Sequence, residues 1–345
     1  MKHPIIALKH IDNLWFQVTG TLCNIACAHC FNGSGPGVKT FGFLTIDRVR
    51  DELETAISVG LKAIFFTGGE PFLHPQLLEM LRLSLDAAPT TVLTNGTLIT
   101  DRTADELAKM ERGTRYSLEI RVSLDGYTEE RNDAIRGRGV FCRALDATRR
   151  LSQRGILPLV TVVRTWSEEE ELTTLAGFVR TLRQAGYSKP RIKILPSLPL
   201  GRELTRAQAR VASAHSAVAS LAREQENQQD ASLARPADAI PDESLLTEEM
   251  LVGFDLDLLM CSNSRLVTDR GVWVCPLLVE MPDARLGDRL RTAVPHYELR
   301  HVACTSCYHY GTICGNVSAQ IEGPADATTA PDFSPARFKP SVLSG

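Results

Sequence analysis

The stretch Cys23-Asn24-Ile25-Ala26-Cys27-Ala28-His29-Cys30 sets three cysteines at x3 and x2 spacing, just after the apolar run Leu14-Trp15-Phe16-Gln17-Val18. Iron–sulfur clusters are held by cysteine thiolates, normally four to a [4Fe–4S] cube. The next cysteine in the chain is Cys142, so the trio suits a cube with one iron left open for another ligand. A structural zinc site with His29 as fourth ligand is the competing reading. It is awkward, because His29 adjoins Cys30 and would have to fold back onto the same ion, whereas zinc sites pair separated ligands.

Outward from this stretch, residues 14–195 alternate short apolar runs with amphipathic ones, the sign of repeated βα units. Strands are predicted over 14–19, 63–67, 91–94, 118–123, 157–163 and 191–195. Helices are predicted over 46–59, capped by Thr45 and stopped by Gly60, and over 75–85, 101–111, 141–154 and 168–185, the last stopped by Gly186. Parallel strands joined by helices bind ligands at their carboxyl ends, which is where the cysteine trio stands relative to the first strand.

The bulk numbers agree with an ordinary globular protein. The chain has 345 residues, 43% hydrophobic and 23% charged, with a formal net charge of −3. That balance argues against nucleic acid or an anionic membrane as partner. No apolar h-region and no run near the length of a membrane span is found, so a cytoplasmic location is expected. Nine cysteines in a reducing compartment point to metal rather than disulfides. The organisation read from the chain is a barrel over 1–200, a polar helix and linker over 201–250, a cysteine-rich unit over 251–316, and a tail over 317–345 whose Pro, Ala, Ser and Thr content predicts disorder. No leader-recognition domain is expected ahead of a barrel whose first strand begins near residue 14.

A second motif, Phe66-Thr67-Gly68-Gly69-Glu70-Pro71, follows the second strand. Two glycines permit close backbone approach to a ligand, and a carboxylate can accept hydrogen bonds from an ammonium. Alone the motif could be an ordinary turn before the next helix.

Together, the two motifs resemble the radical S-adenosylmethionine (AdoMet) superfamily, whose signature is CxxxCxΦC after the first strand and a GGEP-type turn after the second. The resemblance covers roughly residues 14–200. It implies an α/β fold, a partial (β/α)6 barrel. There Cys23, Cys27 and Cys30 would hold a [4Fe–4S] cluster with AdoMet on the open iron, and Gly68, Gly69, Glu70 and Pro71 would bind AdoMet. His29 departs from the usual aromatic residue. Ser123, at the end of the fourth predicted strand, matches a position that holds ribose and carboxylate. Arg136 matches an arginine that some members aim at the AdoMet carboxylate, and Val163 and Leu195 match apolar contacts to adenine. Thr94-Asn95-Gly96 is either a turn or part of the substrate pocket. The implied chemistry is one-electron reductive cleavage of AdoMet to a 5′-deoxyadenosyl radical that abstracts hydrogen from substrate, with an electron donor such as flavodoxin or ferredoxin.

Further on, Cys261-x9-Gly271-x3-Cys275-Pro276 and Cys304-x2-Cys307-x6-Cys314 resemble the SPASM/twitch extension that binds auxiliary [4Fe–4S] clusters. Five cysteines fit one auxiliary cluster with a thiol to spare; structural zinc on four of them is the alternative. Cys142 reads as a small buried hydrophobe. Asp125 and Glu280 are candidates for a base that deprotonates substrate. The expected substrate is a small polar molecule, such as a sugar, nucleoside sugar or aminocyclitol, that is oxidised or decarboxylated in natural-product biosynthesis. The rivals are a peptide or protein maturase working with a separate recognition protein, and a non-enzymatic zinc-binding protein.

Overall fold

The computed structural model describes residues 3–198, 200–206 and 245–310. The predicted disordered tail, most of the 201–250 helix and linker, and Cys314 lie outside the described residues. The chain opens with β1 (Ile5–Ala7) and β2 (Asn13–Gln17), then alternates α1 (Ile46–Ser58), β3 (Ala63–Thr67), α2 (Leu77–Leu85), β4 (Thr90–Thr94), α3 (Asp101–Gly113) and β5 (Leu118–Ser123). After β5 come two helices, α4 (Glu129–Arg136) and α5 (Val140–Gln153), then β6 (Leu159–Val163), α6 (Glu171–Gln184) and β7 (Arg191–Leu195). Strands β2 to β7 lie side by side and parallel in chain order, the arrangement of a partial (β/α)6 barrel.

Alternation along each strand decides which layer a side chain joins. Leu14, Phe16, Ile64, Phe66, Val92, Ile120, Val122, Val160 and Val162 face outward into one core with the apolar stripes of α1, α2, α3, α5 and α6. Trp15 and Phe65 face inward, stacked with ring centroids 4.1 Å apart. Thr45 caps α1 by accepting from the Arg48 amide at 3.2 Å, as predicted. Helix α4 escaped prediction because its sequence, EERNDAIR, is almost wholly polar; Thr128 caps it, and only Asn132, Ile135 and Arg136 are buried. Cys142 is exposed, a correction to its reading as a buried residue. On α5 the buried stripe is Val140, Ala144, Ala147, Thr148 and Leu151, and position 142 lies on the opposite side of the helix.

The cysteine-rich unit is not set apart from the barrel. After α7 (Met260–Asn263), β8 (Ser264–Thr268) pairs in parallel with β2, β9 (Gly271–Trp273) turns back antiparallel, and β10 (Arg285–Gly287) completes a nine-stranded sheet. A second seam joins β1 to β11 (His296–Glu298), just before α8 (Val302–Tyr310). The expected boundary at residue 200 therefore divides the sequence but not the sheet.

Candidate functional site

The loop that follows β2 is pinned before it reaches its cysteines. Cys23 N donates to Gly35 O at 3.2 Å, and Gly35 N donates to Thr21 O at 3.2 Å. The loop thus closes on itself between Thr21 and Gly35. Inside it Cys23, Ile25 and Cys27 pack with Val140 of α5, and Cys30 lies against them. Burial pushes the Cys23 thiol up to about 11 and raises Cys27 as well; Arg136 partly offsets the rise at Cys27. Such thiols become thiolates only when a metal supplies the compensating charge.

The neighbours of each sulfur come from different parts of the fold. The Asn95 side-chain amide, after β4, donates to Cys23 Sγ at 3.7 Å. Cys30 Sγ donates to Asn32 Oδ1 at 3.0 Å, and the guanidinium of Arg136 reaches Cys27 Sγ at 3.9 Å. Arg202 holds the loop from outside: its three nitrogens donate to the carbonyls of Cys27 (2.9 Å), Gly33 (2.9 Å) and Ser34 (2.6 Å), while its amide donates to Cys30 O at 3.0 Å. Asn95 was read only as part of a turn or of the substrate pocket, and Arg202 was not found from sequence, because an arginine in a charged helical run carries no local signal.

The Gly-Gly-Glu-Pro turn explains itself in the same way. A Cβ on Gly69 would collide with the Leu22 carbonyl and the Cys23 nitrogen, and one on Gly68 with the Thr19 hydroxyl. Gly68 also has φ +149°. The glycines admit the chain that leads into Cys23, and Glu70 N donates to Leu22 O at 3.0 Å to lock the contact. Glu70 is fully buried and accepts from Phe72 N (3.1 Å), Thr94 Oγ1 (2.7 Å) and Asn95 N (2.8 Å), so burial lifts its carboxyl to about 7 while these bonds oppose the rise. Glu70 therefore ties the turn to the end of β4.

Behind the loop sits a buried ionic cluster that sequence did not foresee as a unit. Asp125 Oδ2 meets Arg136 Nε at 2.5 Å and His29 Nε2 at 2.6 Å, Oδ1 accepts from Val163 N at 2.8 Å, and Asp125 N donates to Asn132 Oδ1 at 3.0 Å. Although burial opposes ionisation, Arg136 and His29 together hold the Asp125 carboxyl well below the usual carboxylate range. A carboxylate so stabilised is a poor proton acceptor, so its surroundings give Asp125 a positioning role rather than that of a base. Histidine at position 29, in place of an aromatic, is explained by this partner. Arg136 is engaged with Asp125 and Cys27, leaving only its remaining N–H groups for any ligand. Ser123, Val163 and Leu195 end β5, β6 and β7, with Val163 and Leu195 directly paired, at the carboxyl ends where the cysteine loop lies. Glu280 is exposed and lies beside Gly33, its Oε1 3.5 Å from where a Cβ there would sit. Partial burial raises its carboxyl, and Arg202 offsets some of that.

At the other end of the β2–β8 pair, Cys261, Cys275, Cys304 and Cys307 line one cavity, otherwise walled by apolar residues such as Met260, Leu277, Leu278 and Tyr297. Burial pushes Cys304 up to about 12 and raises Cys261 and Cys275 further. Among the described residues no three Cys, His, Asp or Glu groups gather as they would around a single ion. A cube puts each thiolate on its own iron and needs no such gathering. Three thiols in one loop and four in one apolar cavity are donor sets that fit iron–sulfur cubes.

A parallel barrel carrying a three-cysteine loop at its carboxyl ends defines an iron–sulfur protein of the AdoMet-binding kind. The radical SAM superfamily model matches residues 18–175, a little under half of the chain, the part that carries both motifs. Members bind a [4Fe–4S] cluster and AdoMet, and the Cys23–Cys30 loop offers the three-thiol donor set that such a cluster needs. Over 167 residues the chain is 32% identical to the mycofactocin maturase MftC of Mycobacterium tuberculosis, covering 47% of this chain and 41% of that protein. Over 147 residues it is 34% identical to the AdoMet-dependent heme synthase of Methanosarcina barkeri, covering 41% and 39%. The match thus spans about two fifths of the length of these relatives. In fold the chain is similar to Streptococcus suis SuiB bound to the precursor peptide SuiA, with a TM-score of 0.54 at 15% identity, covering 90% of this chain and 67% of that one. No helix among the described residues is long and apolar enough to cross a membrane.

Proposed function

We propose that this protein is a radical AdoMet enzyme that modifies a peptide or protein substrate, with a second iron–sulfur cluster held by Cys261, Cys275, Cys304 and Cys307. The observation that carries the enzyme reading is the wedge of Gly68–Glu70 against Leu22 and Cys23, which joins the two motifs into one rigid site. When bound, the cluster and AdoMet supply a carbon-centred radical able to abstract hydrogen from an unactivated carbon. The chain's own residues orient and exclude: Arg202 fixes the loop, Glu70 and Asn95 fix the strand ends beside it, and the Asp125 cluster braces the loop against β6. Ser123, Val163 and Leu195 would face the nucleoside. Glu280, whose raised carboxyl suits a proton acceptor, remains the candidate base. Electrons would come from a small one-electron donor of the flavodoxin or ferredoxin kind.

Support for a peptide substrate comes from the maturase at 32% identity, and from a fold neighbour solved with its precursor peptide. This displaces the expectation of a sugar, nucleoside sugar or aminocyclitol substrate. The discriminating experiment reconstitutes the enzyme anaerobically, reduces it, and supplies AdoMet with deuterated candidates of both classes. Deuterium entering 5′-deoxyadenosine from peptide is the expected result; transfer from small polyols alone would refute the peptide reading.

A further inference from the structure

Arg265, on β8, is fully buried, its relative exposure 0%, and is the second largest side chain so enclosed. Among the described residues its guanidinium meets no carboxylate. It donates instead to three carbonyls, those of Cys261 (2.8 Å), Ser264 (2.7 Å) and Pro295 (3.4 Å), and its Nε has no partner. The buried arginine of the first site, Arg136, is by contrast neutralised by Asp125. An isolated cation in an apolar interior is strongly unfavourable unless a counter-charge completes it. The nearest groups able to become anions are cysteines: Arg265 bonds the backbone of Cys261 itself and lies close enough to Cys261 and Cys275 for mutual electrostatic influence.

We propose that Arg265 is the built-in counter-charge of the Cys261/Cys275/Cys304/Cys307 site and sets the reduction potential of the cluster bound there. The inference rests on the reading that this cavity holds an iron–sulfur cube. An all-thiolate cube is anionic in both oxidation states and gains one more negative charge on reduction. A fixed guanidinium in a low-dielectric wall stabilises the reduced form more than the oxidised one and raises the potential. This makes the cluster a better acceptor for an electron released during substrate oxidation. Arg265 acts through the cysteines and touches no reacting atom, so its role is positioning and tuning.

The test uses the full chain in a Cys23→Ser/Cys27→Ser/Cys30→Ser background, so that only the second cluster is seen. Iron and sulfide analysis comes first: without about four irons and matching sulfide, the reading of the site itself fails, independently of Arg265. With the cluster present, the midpoint potential is followed by electron paramagnetic resonance in the parent and in Arg265→Lys, Arg265→Gln and Arg265→Met. The neutral variants should shift to more negative potential by at least a tenfold change in reduced-to-oxidised ratio, about 59 mV for one electron. Arg265→Lys should stay near the parent. Unchanged potentials in the neutral variants, or equal shifts in Lys and Gln, would overturn the proposal. Thermal melts of iron-free protein supply the second reading. An uncompensated charge predicts that iron-free Arg265→Gln melts no lower than the parent while the loaded protein loses stability. Failure of the neutral variants to fold without iron would mark Arg265 as purely structural and equally overturn it.

Discussion

Replacing Asp125 with Asn would remove one negative charge from a site where no water can substitute for it. Asp125 is 3% exposed, Arg136 7%, and both partners bond the same oxygen, at 2.5 and 2.6 Å. Asn can still accept from Val163 N, but its side-chain NH2 would oppose a guanidinium that also donates. Removing one partner of a buried pair leaves an uncompensated charge and costs about 3–5 kcal/mol. Iron-free protein unfolded in urea should show that loss, and Asp125→Asn/Arg136→Met should recover part of it, since the two sites are coupled. The pH sign follows from the depressed carboxyl. Its folded value lies below the ordinary 3.8, so the stabilisation is fully present above about pH 4 and disappears as pH falls through the folded value. Wild type and variant should differ clearly at neutral pH and converge in acid. A loss under about 1 kcal/mol at neutral pH, the range of exposed pairs, would refute the burial argument.

Other substitutions test the remaining contacts. Gly69→Ala drives a methyl into the Leu22 carbonyl and should abolish iron retention at Cys23–Cys30 while leaving the Cys261–Cys307 site loaded, read as the loss of about four irons of eight. Arg202→Met removes three charge-assisted bonds, each worth about 1.5–3 kcal/mol at most, and should accelerate iron loss to a chelator more than it lowers the melting temperature. Glu70 carries the opposite pH sign to Asp125. Its folded value of about 7 exceeds the ordinary 4.5, so iron-free protein should lose stability as pH rises between them, by up to roughly 3 kcal/mol. Glu70→Gln should flatten that slope in urea titrations from pH 4.5 to 8.

The barrel was legible because its signals are local and repeated: the strands at 63–67, 118–123 and 191–195 fall where alternation placed them. Helix α4 was not, since a polar segment buries only Asn132, Ile135 and Arg136 and leaves no periodic stripe. The motif cysteines pointed to a metal site through their spacing, and to a cluster rather than zinc only together with the Gly-Gly-Glu-Pro turn. Their supports, Asn95, Asp125 and Arg202, come from residues 72, 98 and 175 positions away from a cysteine they serve, distances in sequence that no window spans. The role given to the paired glycines changed for a similar reason. Sequence says that something approaches them closely, and only the fold says that it is the backbone of Leu22 and Cys23.

The hardest feature to anticipate, the pairing of β8 with β2, is also what relates the two cysteine sites. Strand β2 delivers the Cys23 loop at its carboxyl end, whereas Cys261 precedes the parallel β8 and Cys275 follows the antiparallel β9, so both fall toward the opposite end. The five residues of β2 span about 17 Å, and the barrel side of that gap is filled by Trp15, Phe65, Phe41 and Trp273. An aromatic-packed interior of this kind excludes water from the space between the sites. The register from Asn13↔Ser264 to Phe16↔Val267 therefore fixes their separation, and a one-residue slip would turn buried Arg265 toward the barrel interior and Leu266 away from it. Selection on the distance between two redox sites would act on that register. Its guardian is the β8–β9 hairpin, which pairs Leu266 with Trp273 and Thr268 with Gly271.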